Sequence, residues 1–324
     1  MYAQQLFSNA VVQKPLIEYS PANDGPTHVL GSTDLSGDQI RKILSTAAHL
    51  KKQWHKRPSS IQPVENRMLA MIFEKQSLRT RVSFEQAFTE LGGHAIYLTK
   101  ADIDMGKRES IADTAQVLSR WSSMIVARLN SHASILELSK YSSVPVINAL
   151  TDLEHPCQAL ADLLTIEEHF GPKKLKIVWI GDGNNVCNSL AITAAKLGHE
   201  VVICTPPGYE ADEIAYSVSG VSQVYLPAHA IDGADVVVTD TWISMGQEAE
   251  AAEKLPRFYK YQVNSDLMSL AKDTAIFMHC LPAHRGEEVT PEVIDGPQSV
   301  IFQEAENRMH AQKALMQLLL EKSL

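Results

Sequence analysis

Short, almost wholly apolar runs recur along this chain, and each is followed by a segment whose apolar residues return every three or four positions. A run such as Met68-Leu-Ala-Met-Ile-Phe73 is too short for a buried helix and shows no polar alternation, so it reads as a strand covered on both faces. Similar runs stand at Ala95–Leu98, Met124–Arg128, Val144–Ala149, Leu175–Ile180, Glu200–Cys204, Ala234–Thr239, Ala275–His279 and Ser299–Phe302. Between them, helical spacing is expected after Ser36 and Asp38 and over Val82–Leu91, Ile111–Ser122, Ile135–Tyr141, Ala159–Phe170, Asn188–Leu197 and Ala305–Leu320. Strands alternating with helices imply parallel sheets covered by helices. The pattern restarts near residue 150. The expected architecture is therefore α/β, with two doubly wound parallel-sheet domains and a site in the cleft between them. Residues 1–27 form an extension, 28–150 the first domain and 151–304 the second. Residues 305–324 form a closing helix, expected to pack back towards the first domain. Ligands in such sheets sit beyond the carboxyl ends of the strands.

The chain has 324 residues, enough for two cores without disulfides or metal. It carries 29 basic and 38 acidic residues and no long Lys/Arg run, so it lacks the electrostatic footprint of a nucleic-acid or anionic-membrane binder. No apolar stretch is long enough to span a bilayer, and residues 1–25 resemble neither a signal nor a transit peptide, so the cytoplasm is the expected location. Cys157, Cys187, Cys204 and Cys280 are widely spaced, which argues against a disulfide framework.

Six segments concentrate chemistry. Ser77-Leu-Arg79-Thr80-Arg81 follows a strand and opens a helix, where unpaired backbone N–H groups, hydroxyls and a guanidinium can cradle a phosphate. A solvated, capped helix start accounts for the same residues. His155-Pro-Cys-Gln158 puts an imidazole and an amide at another helix start, although a capped helix with an interdomain histidine is the blander account. Gly181-Asp-Gly183-Asn-Asn185-Val186 falls short of a dinucleotide fingerprint, because Val186 replaces the third glycine and no acid follows the next strand. Asp240, with Ser244, Met245 and Gly246 behind it, stands past a strand, where a carboxylate can meet an amine or merely cap a turn. In His279-Cys280-Leu281-Pro282, neighbouring strand residues point to opposite faces, which disfavours a Cys–His nucleophile pair. A zinc site from His155, Cys157, His279 and Cys280 matches no standard spacing. In Glu304-Ala-Glu306-Asn-Arg308, an arginine expected in the first turn of the closing helix opposes the helix dipole, which implies a specific partner or a bridge to Glu304.

Together the six segments resemble the ornithine carbamoyltransferase family from about residue 28 to the end. The resemblance rests on the Ser-x-Arg-Thr-Arg motif at 77–81, His155-Pro-Cys-Gln158, the Asp240…Ser244-Met245-Gly246 loop, His279-Cys-Leu-Pro282 and Glu306-Asn-Arg308-Met309. It implies transfer of a carbamoyl group from carbamoyl phosphate to the δ-amine of L-ornithine, giving citrulline and phosphate in arginine metabolism. It implies no metal or organic cofactor, and assembly as homotrimers or multiples of trimers. Ser77, Leu78, Arg79, Thr80, Arg128, His155 and Gln158 would hold carbamoyl phosphate. Asn185, Asp240, Ser244, Met245, Cys280, Leu281 and Arg308 would hold ornithine. Arg128, His155, Cys280 and Asp240 would act in catalysis. A related transferase acting on putrescine or an acylated ornithine, and a non-catalytic homologue, are the alternatives.

Two departures from the family pattern stand out. The usual motif is Lys-Pro-Ser-Thr-Arg-Thr-Arg, but here Gln76 replaces Pro and Leu78 replaces Thr, removing a hydroxyl donor. Asp104 stands where relatives carry Gln or His in a loop that reaches the neighbouring subunit's phosphate. Both changes bear on the same end of the same substrate. They imply an isoenzyme less sensitive to antimetabolites that mimic the transition state, against neutral variation as the alternative.

Overall fold

The computed structural model describes residues 27–54, 64–243, 249 and 251–321. The expected extension at 1–27 lies outside them but for its last residue. Two sheets form, and every strand pair is parallel. The first has four strands: β1 (Met68–Phe73), β2 (His94–Thr99), β3 (Met124–Arg128) and β4 (Val146–Leu150), in the order β2-β1-β3-β4. The second has five: β5 (Lys176–Ile180), β6 (Glu200–Cys204), β7 (Val221–Val224), β8 (Val236–Thr239) and β9 (Ile276–His279), in the order β7-β6-β5-β8-β9. The central strands bury nearly every side chain, as their unbroken apolar runs require.

The helices of the first half are α1 (Gly37–Trp54), α2 (Leu78–Glu90), α3 (Lys100–Ile103), α4 (Ile111–Trp121) and α5 (His132–Tyr141). Next come α6 (Pro156–Phe170), α7 (Asn185–Lys196) and α8 (Pro227–Ile231). The series ends with α9 (Ala251–Phe258), α10 (Ser265–Met268), α11 (Pro291–Ile294) and α12 (Ile301–Leu320). Helix α1 turns Ile40, Ile43, Leu44 and Ala47 into the core; burying a large aliphatic side chain contributes roughly 1.5–3 kcal/mol. Several helices start a turn earlier than their apolar spacing implies, because caps supply the start. Ser77 accepts from Thr80 N–H, Asn184 accepts from the N–H groups of Val186 and Cys187, and Pro156 opens α6 behind His155.

Two expectations need correction. Ser299–Phe302 is not a strand. Ser299 makes only an isolated bridge to Phe277, and the chain is helical from Ile301. The β-branched Val300 and Ile301 give a strand-like local pattern, but burial of α12 overrides it. Arg308 consequently lies in the middle of α12 rather than in its first turn, so the dipole argument for a special partner fails. Its partners are found in three dimensions instead.

Helix α12 packs against α1, α2 and α6. Lys313 bonds Glu90 of α2 at 2.7 Å, and Lys51 of α1 meets Glu168 of α6 at 3.0 Å and Glu306 of α12 at 3.2 Å. Leu315, Met316 and Leu319 are buried along it. Between the sheets, Glu154 accepts from Ser32 N–H at 2.7 Å and from the Ser189 hydroxyl at 3.0 Å.

Candidate active site

The carboxyl ends of four strands converge. Arg128 closes β3, and its register partner Phe73 closes the adjacent β1. Glu74 N–H bonds Arg128 O at 2.9 Å, which ties the start of the 74–80 segment to that strand. Asp240 follows β8 and Cys280 follows β9, strands paired through Thr239 and His279. Side chains at these carboxyl ends face a common region, as the topology requires.

Arg308 joins the two halves of the chain. Its Nη1 donates to Gln158 Oε1 at 2.6 Å and its Nη2 to Thr80 Oγ1 at 3.2 Å. Arg128, Arg308 and Arg79 are close enough for their charges to act on one another. Burial, then Arg308 and more weakly Arg79, push the Arg128 guanidinium down to about 10, with the Cys280 thiol opposing them. Arg128 Nε, Arg308 Nε and His155 Nδ1 are buried without a hydrogen-bond partner among the described residues. Three crowded guanidinium groups, two of them with an unsatisfied buried Nε, constitute a site for a multiply charged oxyanion. His155 is held well below its ordinary value by burial and by Arg308 and Arg128, so its ring is neutral.

A thiol–carboxylate pair is assembled from the second half. Cys280 Sγ donates to Asp240 Oδ1 at 3.1 Å, and Asn184 Nδ2 donates to Asp240 Oδ2 at 2.8 Å. Burial, and then the Asp240 charge, raise the Cys280 thiol well above its ordinary value. It is a neutral donor, not a thiolate nucleophile. Leu281 holds a left-handed conformation (φ 59°) before a cis peptide to Pro282, and its N–H donates to His279 Nδ1 at 2.9 Å. His279 Nε2 meets Glu288 Oε1 at 3.2 Å, so its ring is engaged by a carboxylate on that side. Asp240, His279 and Cys280 form one group with metal-ligand types, but His155 and Cys157 are not in it, so the four-residue zinc combination is not assembled. Cys157 instead faces Asn148 O at 3.4 Å.

Asn185, expected with Asp240 and Cys280 around ornithine, is placed differently from them. Its Nδ2 donates to Thr151 O at 2.6 Å, tying α7 to the segment after β4. Ser244 and Met245 lie outside the described residues. Leu78 is the first residue of α2, and 74% of it is exposed beside the phosphate-cradle motif. Asp104 ends α3 in a left-handed conformation (φ 37°).

Asp162 and Glu304 form a buried carboxyl pair that the sequence reading did not recognise. Gln158 Nε2 donates to Asp162 Oδ1 at 2.7 Å and to Glu304 Oε1 at 3.0 Å, and Glu304 Oε2 accepts from His279 N–H at 2.9 Å. Burial raises both acids. Gln158 and Glu304 are 146 positions apart, and no local spacing signals their contact. Asn184, read only as part of a loop, proves to be both the cap of α7 and a partner of Asp240.

A family model described as the carbamoyl-P binding domain of aspartate/ornithine carbamoyltransferase matches residues 27–168, and one for the Asp/Orn binding domain matches 173–319. The chain is 53% identical over 304 residues to an ornithine carbamoyltransferase of Carboxydothermus hydrogenoformans, covering 90% of this chain and 96% of that one. It is 52% identical over 297 residues to one from Pyrococcus horikoshii, covering 89% and 93%. The solved ornithine carbamoyltransferase from Pyrococcus furiosus superposes with a TM-score of 0.86 at 50% identity, covering 91% of this chain and 97% of its own. That from Burkholderia thailandensis gives 0.85 at 41% identity, covering 92% and 100%. The sheets, the convergence of motif residues and these likenesses agree: the chain belongs to the aspartate/ornithine carbamoyltransferase family, and within it to the ornithine carbamoyltransferases.

Proposed function

We propose that this chain transfers the carbamoyl group of carbamoyl phosphate to the δ-amine of L-ornithine. The observation that carries the reading is the cluster of Arg79, Arg128 and Arg308, the last two with unsatisfied buried donors, facing a thiol–carboxylate pair from the other half of the chain.

Ser77, Arg79, Thr80 and the N–H groups opening α2, that of Leu78 included, hold the phosphate. Arg128 bridges phosphate and carbonyl oxygen. The neutral His155 donates to the carbonyl oxygen, and Gln158 accepts from the carbamoyl –NH2. Asn185, Asp240, Ser244, Met245, Cys280 and Leu281 surround ornithine, and Arg308 closes the site over both substrates.

A free alkylamine has a pKa near 10.4, so only about one molecule in 2,500 is nucleophilic at pH 7. Crowded cations and removal of water both favour the neutral amine. The Cys280 thiol already holds its proton, which leaves the Asp240 carboxylate as the protein group that pairs with the ammonium and takes its proton. The neutral amine then attacks the carbonyl carbon. The carbon–nitrogen bond forms, the bond from carbon to the phosphate oxygen breaks, and the surplus amine proton leaves with phosphate. Arg128, His155 and Thr80 stabilise the oxyanion, an effect of about 3–4 kcal/mol per well-placed donor. No covalent Cys280 intermediate is needed.

The test is formation of citrulline and phosphate in equal amounts from the two substrates; a folded chain yielding neither would end the reading. The Pyrococcus furiosus relative named as anabolic supports the direction of arginine synthesis. Assembly as a homotrimer or a multiple of trimers belongs to the same reading and is checked by sedimentation. No helix among the described residues is long and apolar enough to cross a membrane; a cytoplasmic location is checked by fractionation. For Leu78 and Asp104 we propose weakened binding of transition-state mimics, with catalysis retained. Comparison with the Leu78→Thr/Asp104→Gln variant checks this, and equal inhibition of both proteins would refute it.

A further inference from the structure

Each end of the Gln158 amide meets groups that satisfy one orientation only. Nε2 donates to Asp162 Oδ1 at 2.7 Å and to Glu304 Oε1 at 3.0 Å, while Oε1 accepts from Arg308 Nη1 at 2.6 Å. Asp162 and Glu304 are themselves hydrogen-bonded to each other in the interior. Two adjacent negative charges there would repel strongly. One proton held between the carboxyls removes that repulsion and still leaves oxygens to accept both Gln158 N–H groups. Glu304 is anchored in turn by His279 N–H at 2.9 Å, so the pair links α6, α12 and the end of β9.

We propose that the Asp162–Glu304 pair makes the donor site selective for a carbamoyl group, by fixing the Gln158 amide with its carbonyl oxygen towards the arginine cluster. This rests on the carbamoyl phosphate reading above and names a determinant of its substrate choice. A carbamoyl –NH2 can donate to that oxygen. The methyl group of acetyl phosphate, of nearly the same size, cannot, and it leaves a buried acceptor unpaired. Arg308 enforces the same orientation from the other side, but it also carries an unpartnered Nε and lies beside Arg128 and Arg79. An incoming phosphate draws its guanidinium, and the acid pair remains as the constraint on Gln158. Asp162 and Glu304 do not touch the substrate; they are positioning residues.

Binding of carbamoyl phosphate and of acetyl phosphate is read separately, from the rise in unfolding temperature of the full chain as each is titrated. The proteins compared are the wild type, Asp162→Asn/Glu304→Gln, Gln158→Leu and the triple variant. Amides at 162 and 304 keep the shape but present either N–H or oxygen, so Gln158 is no longer held one way up. The preference for carbamoyl over acetyl phosphate falls about tenfold in the double variant and at least as far in Gln158→Leu. Adding the double change to Gln158→Leu costs no further preference. An unchanged preference in the folded double variant overturns the proposal. So does a further fall in the Gln158→Leu background, because the pair would then act by another route. Should the double variant not fold, Glu304→Gln alone shifts the preference in the same direction, and no shift overturns the proposal. Since binding alone is read, this outcome is separable from a missing citrulline signal in the assay above.

Discussion

His155 caps α6 with its ring buried beside Arg308 and Arg128, and its neutrality has a consequence for stability. Unfolded imidazole takes up a proton near pH 6.5, whereas the folded one resists it. The unfolded chain therefore binds more protons below that value, and stability falls as pH drops through it. In His155→Gln, the loss of unfolding free energy between pH 7 and pH 5 should be smaller than in the wild type; equal losses in urea titrations would contradict this. Arg128 presents the opposite balance. Its charge is crowded by Arg308 and Arg79 and lacks a partner at Nε. Arg128→Met should raise the unfolding temperature without ligand and abolish the further rise that carbamoyl phosphate gives, a trade of binding for stability. A lower unfolding temperature without ligand would count against the crowding argument. At this scale most motif residues were legible, because they stand just past a strand or at the start of a helix. The acid pair was not, because Asp162 and Glu304 are brought together only by the packing of α12 on α6.

Among the elements, the loop between β5 and α7 is tightly constrained. A Cβ on Gly183 would lie 2.2 Å from Ala211 N and 2.4 Å from Glu210 C, both backbone atoms. Gly183 N–H also bonds Tyr209 O at 3.0 Å, so the loop cannot move aside without losing that bond. Gly183→Ala should cost about 1–3 kcal/mol in denaturant unfolding and weaken ornithine more than carbamoyl phosphate, because Asn184 next to it holds Asp240. A neutral substitution would show that the loop has slack. The glycine-rich spelling of this loop was visible in the sequence, but its reason was not: the close neighbour is backbone 27–28 positions away. Strands β1, β3, β5 and β8 were equally visible, since buried parallel strands are almost purely apolar. Strand β7 (Val221–Val224) was missed because its Ser and Gln sit on a half-exposed edge and break the pattern.

For the whole molecule, α12 decides whether two sheets make one protein. Lys313 meets Glu90 at 2.7 Å, and Lys42 of α1 meets Glu321 at 3.0 Å, just past the helix end. Apolar residues Leu315, Met316 and Leu319 are buried between. Removing residues 301–324 should therefore leave no folded first half. Near-UV circular dichroism of the truncated chain should be featureless, and retention of native tertiary signal would contradict this. The two-sheet plan was readable from the restart of the strand–helix pattern. The beginning of the last helix was not, since Val300-Ile301-Phe302 looks locally like a strand.

Lys313 stands 223 residues after the Glu90 that it meets. At about 5–20 residues per second, a ribosome takes roughly 10–45 s to deliver the second partner after the first. Through that interval the nascent amino-terminal half carries an uncovered greasy seam, sealed only once α12 has been made. Synthesis of this chain thus depends on shelter from premature association, a demand imposed by connectivity alone.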